Sequence, residues 1–145
     1  MIQRKQTLFL LLAFVLAVVC LSTRIGTYQA VDGAVMGNIY NLFITDGTGG
    51  RHFSTWPLMA VLLSSALLML VTIFLYRRRP LQALLASVAA LMQVVWYVLF
   101  AVIAGDGLTM TLSEDLPAVC AILCFMARQA IKADEKLVRS MDRIR

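Results

Sequence analysis

The chain has 145 residues, of which 61% are hydrophobic and only 14% charged, with a mean hydropathy of +0.83. A soluble domain carries about a quarter charged residues, so composition excludes an ordinary water-facing globule and predicts a single membrane domain over residues 1–145. The net charge of +5 suggests nucleic acid only until its placement along the chain is read.

Residues 1–6 form a short polar lead holding Arg4 and Lys5, and residues 7–23 follow without a charge. A basic start and an apolar middle also describe a signal peptide, but Leu21, Ser22, Thr23 and Arg24 supply no small-x-small cleavage site after Cys20. The stretch before Cys20 matches a lipoprotein box only loosely, because Val19 is bulky where a small residue is needed. Residues 7–23 are read as an uncleaved first transmembrane helix.

Residues 24–55 make an outer loop rich in glycine: Gly26, Gly33, Gly37, Gly47, Gly49 and Gly50. Asp32-Gly33 predicts a tight turn between extended stretches at 27–31 and 34–36. Residues 38–45 carry the β-formers Ile39, Tyr40, Phe43, Ile44 and Thr45 and predict a further strand, with a turn at 46–50. The loop should fold as a small hairpin or three-stranded patch.

Residues 56–76 and 81–104 contain no charge. At about 1.5 Å per residue they reach roughly 31 and 36 Å, enough for a hydrocarbon core of about 30 Å. Arg77, Arg78, Arg79 and Pro80 divide them. Three guanidiniums must lie at a membrane face, and Pro80 disfavours helix at Arg79, so the hairpin should turn there. Ser54 or Thr55 should cap the second helix, with Pro57 in its first turn. Trp56 and Tyr76 suit its two interfaces.

Gly105, Asp106 and Gly107 break the third helix, and Thr111 with Glu114 fits a capping box for a fourth. Its charge-free run, 116–127, is short for a span. It becomes one, over residues 113–131, when Arg128 and Lys132 snorkel to the headgroups. The helix should continue as a cytoplasmic tail over 132–145. Ile131, Val138, Met141 and Ile144 (or Leu137) recur at helical spacing there, and Glu135 pairs with Arg139 at i,i+4.

This layout gathers eleven of the thirteen basic residues on one side with three acids, and leaves two basic residues and five acids on the other. That is the positive-inside pattern, and it predicts both termini in the cytoplasm. The basic excess then sets topology and is no nucleic-acid footprint. The predicted fold is an all-α membrane protein: a four-transmembrane-helix bundle with a small β-hairpin-like outer loop and a cytoplasmic C-terminal helical extension.

Gln93 lies at the middle of its run, at the depth of Ser64 and Ser65 in the preceding helix. Its amide should bond to one of them, since lipid offers no partner. Ala86 and Ala90 on the same helix allow close approach. These five residues are the helix-packing set. Trp56, Tyr76, Arg77, Arg78, Arg79, Arg128 and Lys132 are the membrane-interface set. A competing reading makes Ser64, Ser65, Thr72 and Gln93 a polar path through a small transporter or channel. Cys20, Cys120 and Cys124 all lie in apolar runs, an odd number with no Cys-x-x-Cys pair, which suits packing. His52 stands alone among scattered acids and makes a poor metal site. Gly47-Thr48-Gly49-Gly50 lacks the Gly-Lys ending of a phosphate loop. No catalytic, cofactor or metal site is predicted.

The opening Met1-Ile2-Gln3-Arg4 running into a leucine-rich span resembles a family of small four-helix membrane proteins of Bacteroidota, known only as a domain of unknown function. The glycine-containing outer loop, the Trp56-Pro57 start and the arginine turn add to the likeness, which covers the whole chain. It implies a bacterial inner-membrane protein and carries over no functional residue. In plan the chain is also similar to claudin-like proteins, whose paired outer-loop cysteines it lacks. The function predicted is an accessory or scaffold subunit of a membrane complex and not an enzyme. Its partners are the bilayer, anionic lipid headgroups at the cytoplasmic face, and other membrane proteins or itself.

Overall fold

A computed structural model describes residues 5–29, 35–75, 78–104, 108–110 and 112–142. Four helices, α1 (Lys5–Ser22), α2 (Trp56–Phe74), α3 (Arg79–Ala104) and α4 (Leu116–Asp142), form a ring. Each packs on two neighbours: α1 on α2 and α4, α3 on α2 and α4. All four are long and apolar enough to cross a membrane.

The inward faces follow the 3.6-residue period and are built from small and medium side chains. On α1 they are Leu10, Ala13, Ala17 and Cys20; on α4, Cys120, Cys124, Ala127 and Ile131. On α3, Gln82, Ala86, Ala89, Gln93, Trp96 and Phe100 point inward. The opposite faces are large and exposed, for example Leu8, Leu67, Leu84, Leu91, Val98 and Ile122.

Five strands cap one end: β1 (Arg24–Gln29), β2 (Val35–Tyr40), β3 (Ile44–Asp46), β4 (Arg51–His52) and β5 (Leu108–Met110). They form one antiparallel sheet in the order β4-β3-β2-β1-β5. This is larger than the predicted hairpin or three-stranded patch. The predicted strand 38–45 is divided, with Tyr40 N–H reaching Phe43 O across a turn at 2.9 Å. The fifth strand comes from the α3–α4 connection. Ile25 and Ile39 are buried between sheet and helices.

Two glycines in the sheet have steric reasons. Gly49, at φ +84°, closes the β3–β4 hairpin, where Gly49 N–H meets Asp46 O at 2.9 Å. A Cβ on Gly37 would sit 2.3 Å from the Thr45 carbonyl oxygen, so β2 and β3 approach too closely there for a side chain.

Two helix starts differ from the sequence expectation. Thr55 stands at the N-cap of α2, but neither its hydroxyl nor Ser54's caps the helix; a single 3-10 turn, Phe53–Thr55, leads into it instead. The Thr55 hydroxyl is buried without a partner. Pro80 does not exclude Arg79 from α3. The helix begins at Arg79 and Gln82 N–H already reaches Arg78 O at 2.9 Å. Proline in the first turn removes a donor that has no intrahelical acceptor anyway, so α3 starts one residue before Pro80 instead of after it. α4 runs unbroken from Leu116 to Asp142, with Pro117 in its first turn. The Asp32-Gly33 turn, the 105–107 break, Thr111 of the capping box, Tyr76, Arg77 and the Arg139 side chain lie outside the described residues.

Candidate functional site

The interior holds buried polar side chains at three levels. Gln93 and Ser65 meet near the middle, where Gln93 Nε2 donates to Ser65 Oγ at 2.8 Å and Ser65 Oγ donates to Leu62 O at 2.8 Å. Both side chains are fully buried. Ser64 is one position round the helix and bonds its own backbone, at Ala60 O and Val61 O. Ala86 is fully buried and Ala90 half-buried beside this level. Gln93 Oε1 has no partner.

That asymmetry gives a test. Gln93→Leu removes one hydrogen bond but also an orphaned carbonyl, and Ser65 keeps its bond to Leu62. The stability change should be within about 1 kcal/mol. Ser65→Ala strands the whole Gln93 amide and should cost about 1–3 kcal/mol. Unfolding in mixed micelles measures both, and the order matters more than either value.

The level toward the α2–α3 bend holds Gln82, whose Nε2 donates to Thr72 O at 3.1 Å, while Thr72 Oγ1 donates to Leu68 O at 2.6 Å. Gln82 Oε1 has no partner, and neither has Nε2 of the buried Gln6. Of the four residues of the predicted polar path, Ser65, Thr72 and Gln93 are fully buried and bonded to neighbouring backbone or each other, and Ser64 is half-buried.

The level beneath the sheet centres on Asn41. Its Nδ2 donates to Cys20 O at 2.7 Å, and its Oδ1 accepts from Trp96 Nε1 at 3.0 Å. The loop between β2 and β3 thus ties the end of α1 to α3. Trp96 stacks on Phe100 with centroids 5.2 Å apart and 5° between planes. Tyr97 Oη donates to Glu114 O at 2.6 Å, joining α3 to the turn before α4. Sequence reasoning passed over Asn41, Trp96 and Tyr97 as an anchoring set. An amide inside a β-forming run and a tryptophan inside an apolar span were the available signals.

The cysteines are free and buried. Cys120 Sγ lies 3.3 Å from Ala13 O and Cys20 Sγ 3.6 Å from Ser113 O. They act as small packing residues that let α1 and α4 approach. His52 pairs with Asp46 at 2.6 Å across the β3–β4 hairpin, with both side chains largely in solvent. Such a pair contributes little, and its form depends on whether the imidazole is protonated. Among the described residues no group of three or more His, Cys, Asp or Glu gathers to hold a metal.

Of the interface set, Trp56 is 61% exposed at the sheet end of α2. Arg78 and Lys132 are exposed, and Arg79 and Arg128 half-buried, all toward the other end. Arg79 Nη1 donates to Asp134 O at 3.2 Å, fixing α3 against α4.

Fold and interior together define a four-helix protein, each helix long and apolar enough to cross a membrane, capped at one end by a small antiparallel sheet. Within that class, the chain belongs to the family described as Domain of unknown function (DUF4293), whose model matches residues 2–144. No curated protein matches it.

Proposed function

We propose that the chain is a multi-pass protein of the bacterial inner membrane, both termini cytoplasmic, serving as an accessory or scaffold subunit of a membrane complex and not as an enzyme. The observation that carries the membrane reading is the outward apolar surface. Only 28–33% of the apolar stretch of each helix is buried inside the protein. In water, exposed patches on soluble monomers rarely exceed a few hundred Å². Here Leu8, Leu67, Leu84, Leu91, Val98 and Ile122 are exposed all round the ring. In lipid such faces cost nothing, and charges then belong at the ends.

The scaffold reading is supported by what the surfaces offer. Asn41, Ser65, Thr72, Gln82 and Gln93 are buried and each makes a hydrogen bond within the bundle, and no group of side chains with recognisable chemistry gathers among them. The cap exposes Met36 on β2 and Phe53 just after the short edge strand β4, at 61% and 60%. These are contacts for another protein rather than for a small substrate.

The test has two parts. Alkaline phosphatase should be active when fused after Gly49 and inactive after Pro80; the reverse pattern overturns the orientation. Affinity capture from native membranes in mild detergent should bring down defined partner proteins in fixed ratio. Recovery of this chain alone overturns the scaffold role.

A further inference from the structure

The outer surface of the α3–α4 seam is concave. Small side chains, among them Ala90 on α3 and Ala121 on α4, leave a trough between larger ones. Leu91, Ile122 and Phe125 form its sides and are 64%, 60% and 50% exposed. The groove is open along its outer side and offers ≈ 630 Å³, comparable in size to the about 300–1,000 Å³ of sites that hold small ligands. Its lining is hydrocarbon apart from Ser87, whose hydroxyl is bonded to Ala83 O at 2.8 Å, and Arg128.

Arg128 is misplaced for a residue that only sets topology. Asp134, whose carbonyl meets Arg79 at the mouth of the α2–α3 bend, lies six positions further along α4, or about 9 Å. The Arg128 backbone is therefore rooted inside the apolar stretch Ser113–Val138, and among the described residues no carboxylate forms an ion pair with it. A cation at such depth is costly unless it snorkels or finds an anion. Lys132 lies one turn nearer the end and is exposed.

We propose that this groove binds one anionic phospholipid from the leaflet at the basic end, with an acyl chain along Leu91, Ile122 and Phe125 and the phosphate on Arg128. The proposal rests on the membrane-spanning reading above. The guanidinium fork matches phosphate oxygens in a bidentate way, and the hydrocarbon trough matches the chain attached to them. A second copy is a poorer occupant. A two-fold pairing through this face, with its axis along the bundle, sets one Arg128 against the other at equal depth, and like charges in a low dielectric repel.

The protein reconstituted in vesicles of equimolar phosphatidylglycerol and phosphatidylcholine, then released for native mass spectrometry, tests this. The wild type should retain one phosphatidylglycerol, favoured about fivefold, the effect of one cation near a surface. Arg128→Gln should abolish the preference, and Arg78→Gln, which removes an exposed charge elsewhere at the same end, should preserve it. Ala90→Leu, partly filling the trough, should lower retention of both lipids. Equal effects of Arg128→Gln and Arg78→Gln, or a lipid-free dimer, overturn the proposal. The arginine pair decides even if Ala90→Leu folds poorly. Alkaline extraction of the wild type from the vesicles would overturn the membrane reading itself, whereas stable insertion without lipid preference overturns this site alone.

Discussion

Asn41→Leu should destabilise the folded protein by about 2–4 kcal/mol: about 1–3 kcal/mol for the buried indole N–H left without its partner and about 1 kcal/mol for the Cys20 carbonyl, which keeps a weaker one. Leucine is close in size to asparagine, so little of the loss comes from a cavity. The Trp96 indole N–H loses the oxygen it meets at 3.0 Å and cannot turn to bulk solvent, since Trp96 is fully buried. The Cys20 carbonyl loses the donor at 2.7 Å. It is one of the last four carbonyls of α1, which have no intrahelical partner, and it keeps only the Thr23 hydroxyl at 3.4 Å. The indole therefore carries most of the cost. A double-mutant cycle with Trp96→Phe isolates it: with phenylalanine at 96 no N–H remains to be stranded, and Asn41→Leu should then cost much less. Micelle unfolding followed by circular dichroism supplies the four energies. Additive costs would mean that the Asn41–Trp96 bond contributes nothing.

Asn41 also marks the boundary of what the sequence discloses. Apolar runs of 17 to 24 residues announce three helices, because length and absence of charge are local properties. The depth of Gln93 is local too, and counting residues to the middle of each run puts it opposite Ser64 and Ser65. Choosing between the two serines needs the rotation of α2, which is a packing outcome. Asn41 joins positions 21 and 55 residues away in the chain, and no periodicity encodes that meeting. β5 has only three residues, Leu108–Met110, too few for an alternating pattern, and it is a strand because β1 lies beside it. The missing cap at Thr55 has the same origin: the chain enters α2 through a 3-10 turn fixed by the sheet above. The charge-free run at 116–127 looked short because Arg128 interrupts it, yet the helix passes through that residue and on to Asp142. A cation whose stem is apolar does not end a helix.

Ala13→Leu should cost about 1–3 kcal/mol or more, the penalty of overpacking a close contact. The usual argument for a large side chain, that burial from water stabilises, has no force here if both faces of α1 see hydrocarbon. Association between such helices depends on close packing and polar contacts. Ala13, Ala17 and Cys20 form a continuous fully buried strip on α1, against the small strip Cys120, Cys124 and Ala127 on α4. The gap is known from one contact: Cys120 Sγ lies 3.3 Å from the Ala13 backbone oxygen, which leaves no room for three more carbons beside that backbone. Leucine at 13 must push the helices apart, and the displacement passes to the Cys20 end, where Asn41 and the sheet are attached. The matching control is Leu11→Ala on the opposite face, 52% exposed. It deletes as many carbons as Ala13→Leu adds, yet should change stability by only a few tenths of a kcal/mol when lipid replaces the lost contacts. A larger loss for Leu11→Ala than for Ala13→Leu would mean that α1 turns its other face inward, and the strip of small residues would then have to pack on something other than α4.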